Sequence, residues 1–445
     1  MRKQILVVVL LIIFSSTVSA NFDKVVPLPT SATTKMDDLQ EIIYKDVNND
    51  SLPDLFFSYF GSRDREGCIH YYQSNQKGFN QGQTIYCVNN KGNQWGVKAF
   101  EVTDINNDGI QDLIIGTDAD YVGLMYGNLS KNPPFNEPYN LPTKPENEAD
   151  LVVVGYSSSQ KLMDIFSMGE EICSVGSCLY QFKANSSKQS GYNDYLELSG
   201  VKENHELHWM TGGYINQDKM IDLVTSKRKN GVMSIYIWFS NGDSYDNPVK
   251  ITELNNMMLA IPRGIVLTSE NKTVRELNGD KIPDIIFTAQ NSTKLEGYIY
   301  LLISNSSEQD FYNDEILIDT IKLTGNSTDI YNRLEHIYLD DWNKDGLIDF
   351  YTTNYNEHKK SKLWLFYGDK SGYFKKGIEV KVNLINKTKG VILTDVNNDG
   401  INELIGVRQF YGIKSESPTY LYKRNLLKET IMKIIKIIKS LASVV

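Results

Sequence analysis

The sequence predicts an all-β protein, a seven-bladed β-propeller of four-stranded antiparallel blades with a C-terminal amphipathic helix appended. Three observations predict it. An acidic stretch, Asp104-Ile-Asn106-Asn-Asp108-Gly109-Ile-Gln-Asp112, recurs in seven copies of graded quality. The copies start at residues 46, 104, 156, 214, 276, 341 and 395, a period of roughly sixty residues, in the range of propeller blades and solenoid units. Between starts lie short runs of β-branched and aromatic residues split by polar turns, and four antiparallel strands repeated radially make a blade.

The loop itself points to a cation. Oxygen-bearing side chains stand at its first, third, fifth and ninth positions, and a glycine at its sixth. That spacing suits Ca²⁺, which takes about six to eight oxygen ligands. Alternate residues of a tight loop face inward, the seventh offers its carbonyl, and the ninth closes the cage. Gly109 supplies the positive φ that the turn needs. The competing reading is a plain turn, because Asp and Asn side chains bond their own backbone.

The copies differ in completeness. Unit one is Asp46, Asn48, Asp50 and Asp54, with Ser51 at the glycine position. Unit two is the template. Unit three keeps only Asp164, with Tyr156, Ser158 and Gln160 in place of the other ligands. Unit four has Tyr214, Asn216, Asp218 and Asp222. Unit five has Glu276, Asn278, Asp280 and Asp284, with Lys281 for the glycine. Unit six is Asp341, Asn343, Asp345 and Asp349; unit seven is Asp395, Asn397, Asp399 and Glu403.

Around each loop the strands read in order. An apolar strand precedes it, as in Gly96–Thr103 or Lys389–Thr394, and a second follows it directly. The third is rich in aromatics, as in Ile69–Asn75, Ile235–Gly242, Ile299–Asn305 and Leu363–Gly368. The fourth is more polar, as in Gln83–Val88 or Lys250–Leu254. Unit seven shows no fourth strand downstream of Thr419–Tyr422. Residues 22–30 resemble the fourth strand of unit two, Phe135–Thr143. Residues 22–28 are therefore expected to complete the last blade and close the ring, removing open edges.

Composition sets the compartment. The 445 residues are 41% hydrophobic and 23% charged, enough for a large core. Arg2 and Lys3, the apolar run Ile5–Phe14 and Val18-Ser19-Ala20 form a secretory signal peptide over residues 1–20, the run being short for a membrane span. The repeats occupy residues 21–424. The formal charge of −9 argues against nucleic acid. Four cysteines fit an oxidising compartment. Cys68–Cys87 and Cys173–Cys178 are the expected pairs among three possible connectivities.

These loops and strands resemble the FG-GAP/VCBS repeats of the integrin α-subunit propeller and of many secreted proteins, over roughly residues 22–424. The resemblance implies a propeller with Ca²⁺ sites at Asp104, Asn106, Asp108 and Asp112; at Asp341, Asn343, Asp345 and Asp349; and at Asp395, Asn397, Asp399 and Glu403. It extends to Asp46, Asn48, Asp50 and Asp54, and to Glu276, Asn278, Asp280 and Asp284. Unit three is expected to be empty. Such sites are usually structural, and extracellular modules often bind at about 10⁻⁴ to 10⁻³ M.

Catalytic motifs do not stand out. The five histidines include His205 and His208 in Glu-Asn-His-Glu-Leu-His, which lacks the helical H-E-x-x-H frame. No G-x-S-x-G, phosphate loop or dinucleotide fingerprint is present. Eight N-x-[ST] sequons occur, at Asn49, Asn128, Asn185, Asn271, Asn291, Asn305, Asn326 and Asn386. Residues 425–445 break the β pattern. Leu427, Ile431, Ile434, Ile435, Ile438 and Leu441 fall on one half of a helix and Lys428, Lys433, Lys436 and Lys439 on the other. Two roles compete for this segment: docking on the propeller or a partner, and lying on an anionic membrane surface.

The expected function is a secreted or cell-surface, Ca²⁺-binding propeller that binds a protein or glycan, as the resemblance implies, and not an enzyme. The alternatives are a secreted polysaccharide lyase or hydrolase on the same repeats, and a structural subunit of a surface assembly.

Overall fold

The computed structural model describes residues 22–28, 38–61, 67–75, 77–88, 96–143, 149–157, 162–169, 179–198, 206–229, 231–242, 244–259, 265–267, 277, 280, 282–291, 293–305, 311–323, 333–343, 345–355, 360–380, 382, 384, 388–396, 402–408 and 419–424. The signal peptide, Cys173 and Cys178, and the C-terminal segment 425–445 lie outside these residues. Every regular element among them is a strand.

The strands form seven antiparallel blades, one per repeat, and a two-stranded ladder of Ser74–Asn75 with Gly78–Phe79; six of the blades are built from neighbours in the chain. Blade two shows the plan with Val97–Thr103, Asp112–Thr117, Tyr121–Met125 and Tyr139–Pro142. The acidic loop joins the first strand to the second, and Asp112 opens the second. Blade five departs slightly: Met258–Leu259 and Ile265–Leu267 both pair with Ile285–Asn291, so its first strand is in two pieces. Expected and observed strand limits differ by a few residues at most, as in Val232–Trp238 and Glu296–Leu302 for the third strands of blades four and five.

Closure occurs where the repeat pattern predicts it. Phe22–Pro27 pairs antiparallel with Thr419–Arg424, which lies beside Glu403–Arg408 and then Thr388–Thr394. Residues 22–27 thus supply the fourth strand of blade seven. A buried cluster seals the same joint: Leu39, Phe57 and Tyr59 of blade one pack with Ile392, Ile405, Val407 and Leu421 of blade seven. Each such side chain buried contributes about 1.5–3 kcal/mol. Similar clusters join blades one and two through Phe56, Tyr71, Phe100 and Leu113, and blades six and seven through Tyr351, Leu363, Leu393 and Tyr422. The aromatics of the third strands are therefore inter-blade core, as expected.

A feature of the first strands was not foreseen. In five blades the pairing of first and second strands slips by one residue, at Gln40, Lys98, His208, His336 and Lys389. A bulge leaves one residue unpaired and re-aims its side chain. Two of these residues reach the next blade. Lys98 Nζ lies 3.8 Å from Asp150 Oδ1 of blade three, and Lys389 Nζ donates to the Leu39 carbonyl of blade one at 2.5 Å. The bulges thus latch neighbouring blades near the axis.

Cys68 and Cys87 form a disulfide across the third and fourth strands of blade one, as expected. His208 lies in the strand Glu206–Gly213, and His205 lies outside the described residues.

Removing residues 21–30 takes out a whole strand and its share of the blade-seven ladder. The melting temperature, followed by circular dichroism, is expected to fall by on the order of 10 °C or more. An unchanged melting temperature would show that the strand does not hold the ring closed.

Candidate metal centre

The loops are best built from their ninth residue. Asp54, Asp112, Asp164, Asp222, Asp349 and Glu403 open the second strands and Asp284 immediately precedes its own, and all are between 0% and 5% exposed. A buried carboxylate must be hydrogen-bonded, and each is. One oxygen accepts from the backbone N–H just past the third strand: Ser74 at 2.8 Å, Gly127 at 2.7 Å, Ala184 at 2.7 Å, Ser240 at 3.0 Å, Ser304 at 2.8 Å and Gly368 at 2.9 Å. The other oxygen accepts from the second loop residue: Ile105 N to Asp112 at 3.0 Å, Ile215 N to Asp222 at 2.9 Å and Val396 N to Glu403 at 3.1 Å. The ninth residue, read from the sequence as the one that closes the cage, is committed to the main chain of its own blade.

The partner past the third strand is always small: Ser, Gly or Ala. At Gly127 a Cβ would stand 2.4 Å from the Gln111 carbonyl oxygen, and at Gly368 it would stand 2.3 Å from that of Ile348. The chain must pass this close for its N–H to reach the carboxylate.

The first, third and fifth residues fold the loop over this pin. In loop two Asp104 forks onto two amides, accepting from Asp108 N at 3.0 Å and Gly109 N at 2.9 Å. Asn106 Oδ1 accepts from Asp108 N at 2.9 Å and Asp108 Oδ1 from Ile110 N at 2.8 Å. Loop six repeats this set, with Asp341 accepting from Asp345 N at 2.9 Å and Gly346 N at 2.7 Å. Loop one has Asp46 accepting from Ser51 N at 2.8 Å. The sixth residue is left-handed wherever it is described: φ is 85° at Gly109 and Gly346, 69° at Ser51 and 71° at Lys219. The fourth residue is left-handed as well, at Asn49, Asn107 and Gln217, which explains asparagine there.

Loop four keeps this shape without its first ligand. Asn216 Oδ1 accepts from Asp218 N at 3.1 Å and Asp218 Oδ1 from Met220 N at 2.8 Å. The turn is therefore intrinsic to the Asn and Asp residues, and needs no aspartate at position one. Loop three replaces it altogether. Ser157 donates its hydroxyl to Asp164, and Gln181 Nε2 donates to both, at 2.9 Å each.

Electrostatics favour a cation over the pin. Burial pushes the Asp112 carboxyl up to about 7; the nearby charges of Asp108 and Asp104 add to this, while the N–H groups of Gly127 and Ile105 oppose it. Burial likewise raises Asp54 and Asp349 to about 7 and Asp284 to about 6. In loop one Asp46 Oδ1 is buried and accepts no hydrogen bond, a position that a proton or cation would relieve. Among the described residues no three of His, Cys, Asp and Glu converge tightly enough to hold a metal alone. A cation here would take asparagine and main-chain oxygens beside carboxylates, the hard donor set of Ca²⁺. On these grounds loops one, two and six fit the ion. Asp280 and Asp284 stand in loop five and Asp395 and Glu403 in loop seven, while Glu276, Asn278, Asn397 and Asp399 lie outside the described residues.

A second repeated device escaped the sequence reading. After each third strand the chain turns and presents an aromatic: Phe79, Phe135, Tyr192, Tyr245, Tyr312 or Phe374. The tyrosine hydroxyls donate to the carbonyl just before the pin, Tyr192 to Met163 at 3.0 Å, Tyr245 to Ile221 at 2.7 Å and Tyr312 to Pro283 at 2.7 Å. An amide clasp sits beside it: Asn128 Nδ2 to Asn136 at 2.9 Å, Asn185 to Asn193 at 2.6 Å and Asn305 to Asn313 at 3.2 Å. These three asparagines belong to sequons. The serine two residues on bonds the same asparagine, Ser130 Oγ at 2.6 Å and Ser187 Oγ at 2.7 Å. The N-x-S pattern recurs there because it makes the turn, and that recurrence was the available signal.

The fold and the loop together define the class, a β-propeller whose blades are pinned by acidic first loops. Within it the chain carries FG-GAP-like repeats: the FG-GAP-like repeat family matches residues 46–115 and 341–406, which contain loops one and two and loops six and seven. Such propellers are in general binding modules. No curated protein matches the chain. Solved structures similar to it include AofleA from Arthrobotrys oligospora, at 10% identity over 83% of this chain and 93% of that one, TM-score 0.42. They also include BBS1N in complex with ARL6DN, at 9% identity over 92% and 99%, TM-score 0.47. The Dos1 propeller is similar at 10% identity over 91% and 88%, TM-score 0.45.

Pin and cage separate by mutation. Asp112→Asn leaves one backbone N–H facing an amide donor, and is expected to cost about 2–3 kcal/mol in urea unfolding with EDTA present. Asp104→Asn, in an exposed turn, is expected to cost about 0.5 kcal/mol or less under the same conditions. Equal losses would mean that the ninth residue has no special structural role.

Proposed function

We propose that this chain is a secreted or cell-surface, Ca²⁺-loaded propeller that binds a protein or glycan ligand. The observation that carries the proposal is the paired architecture of the loops. A buried pin fixes each loop without a metal, and in loops one, two and six the side chains of positions one, three and five gather hard oxygens above it. Asp46, Asn48 and Asp50, Asp104, Asn106 and Asp108, and Asp341, Asn343 and Asp345 would hold the ion. Asp54, Asp112 and Asp349 lie beneath it. Asp395, Asn397, Asp399 and Glu403 would serve loop seven, and Glu276, Asn278, Asp280 and Asp284 loop five. The ion supplies positive charge that offsets the acidic rim, and this leaves the rigid ring free to present loops to a ligand.

Two measurements test this reading. A site with a Kd of about 10⁻⁴ M gains about 1.4 kcal/mol at 1 mM Ca²⁺. Several such sites should raise the melting temperature by several degrees over the EDTA value, and Asp104→Asn with Asp341→Asn should remove part of the rise. A melting temperature indifferent to Ca²⁺ would reject the metal. A glycan array and a surface-protein pull-down, each run with and without EDTA, are expected to retain a ligand that EDTA weakens. Retention of nothing in either assay would reject the binding role.

A further inference from the structure

In blades three and four the first loop position is tyrosine, and in blade three the structure shows what it does. Tyr156 reaches into blade two. Its hydroxyl accepts from Asn107 Nδ2 at 3.1 Å and donates to Asn107 Oδ1 at 3.2 Å. Asn107 is the fourth residue of loop two, left-handed at φ 59°, and lies between the candidate ligands Asn106 and Asp108. The tyrosine therefore grips the neighbouring loop at its most constrained residue.

The grip has a firm base. The Tyr156 carbonyl accepts from Ile221 N of blade four at 2.6 Å. The next residue, Ser157, is buried in the cluster with Asp164 and Gln181. The arm that reaches loop two thus stands on a loop closed by its own side chains. Position one of loop seven, the neighbour of loop six, is Asp395 in place of tyrosine.

We infer that Tyr156 is a positioning residue for cation binding in loop two, acting from the neighbouring blade. The inference rests on the Ca²⁺ reading above. Holding Asn107 restrains the backbone between two ligands before the ion arrives, so less ordering remains to be done on binding. The ion's own contacts are unchanged; only the free state of the loop differs.

The test needs a loop-by-loop readout. The amide nitrogens of Gly109 and Gly346 sit in loops two and six, each donating to its first aspartate. In the full chain labelled with ¹⁵N-glycine, their signals report the two loops separately during a Ca²⁺ titration. Tyr156→Phe keeps the ring and removes the hydroxyl. It is expected to raise the Gly109 midpoint roughly three- to tenfold, the value of one net hydrogen bond. The Gly346 midpoint and the metal-free melting temperature should stay in place. Asn107→Gly, which keeps the left-handed turn but removes the amide, should shift Gly109 similarly, and the double variant should shift it no further than either single one. A Gly109 midpoint unmoved by Tyr156→Phe, or moved together with Gly346, overturns the inference while leaving the Ca²⁺ reading intact. Glycine signals that ignore Ca²⁺ in the unmodified chain overturn both.

Discussion

The structure depends on one buried carboxylate, repeated in every blade. It stands at the start of the second strand, and in Asp112 and Asp222 its two oxygens reach opposite ways: one to the loop that enters that strand, the other to the turn that leaves the third. A carboxylate suits this work because it accepts two hydrogen bonds and donates none. Charge-assisted bonds to backbone N–H groups are also stronger than neutral ones. Three segments of each blade, far apart in the ladder, are thereby tied at one end. The cost is a buried charge: burial holds the carboxyls of Asp54, Asp112, Asp222 and Asp349 above the usual carboxylate range. The acidic residues above the pin add to that cost. A cation would lower it for all of them together.

Much of this fold was legible in the sequence for a physical reason. The pin and the turn need particular atoms at fixed spacing, so the nine-residue loop recurs visibly and sets the blade count. Ring closure was legible too, because the missing fourth strand of unit seven had to be supplied by residues that look like a fourth strand. What escaped was less tied to residue type. The small residue past the third strand is Ser, Gly or Ala, and any one of these is common. The aromatic that follows it sits at a variable distance, four residues on at Phe79 from Asn75 but seven on at Tyr192 from Asn185. Backbone bulges at Lys98 and Lys389 leave no mark in composition, since almost any residue can occupy one.

The candidate site was legible in part. Its residues were found, but their roles were merged. A carboxylate that accepts two main-chain hydrogen bonds and one that faces a cation have the same side chain, and spacing does not distinguish them. Burial does: Asp112 is fully covered while Asp108 lies in solvent. Loop four makes the point from the other side. With Tyr214 at position one it lacks the first ligand, yet its turn is built from the same amide contacts. The loop shape therefore follows from the Asn and Asp side chains themselves, and of the two readings weighed from the sequence, turn and cation site, these contacts build the turn.

This layering accounts for the uneven decay of the repeats around the ring. The residues matched by the repeat family hold loops six, seven, one and two, which become neighbours once the first strand closes blade seven. Loops three and four depart most, and they are adjacent to each other. Because the pin is bonded to the protein's own main chain, a blade can change its first, third and fifth loop residues and still fold, provided that position nine and its small partner remain. Asp164 and Asp222 remain, with Ala184 and Ser240. The position released from ligand duty then becomes available for other contacts. In blade three position one is a tyrosine whose hydroxyl bridges to the neighbouring loop, so at this place in the fold the side chain makes a contact between blades.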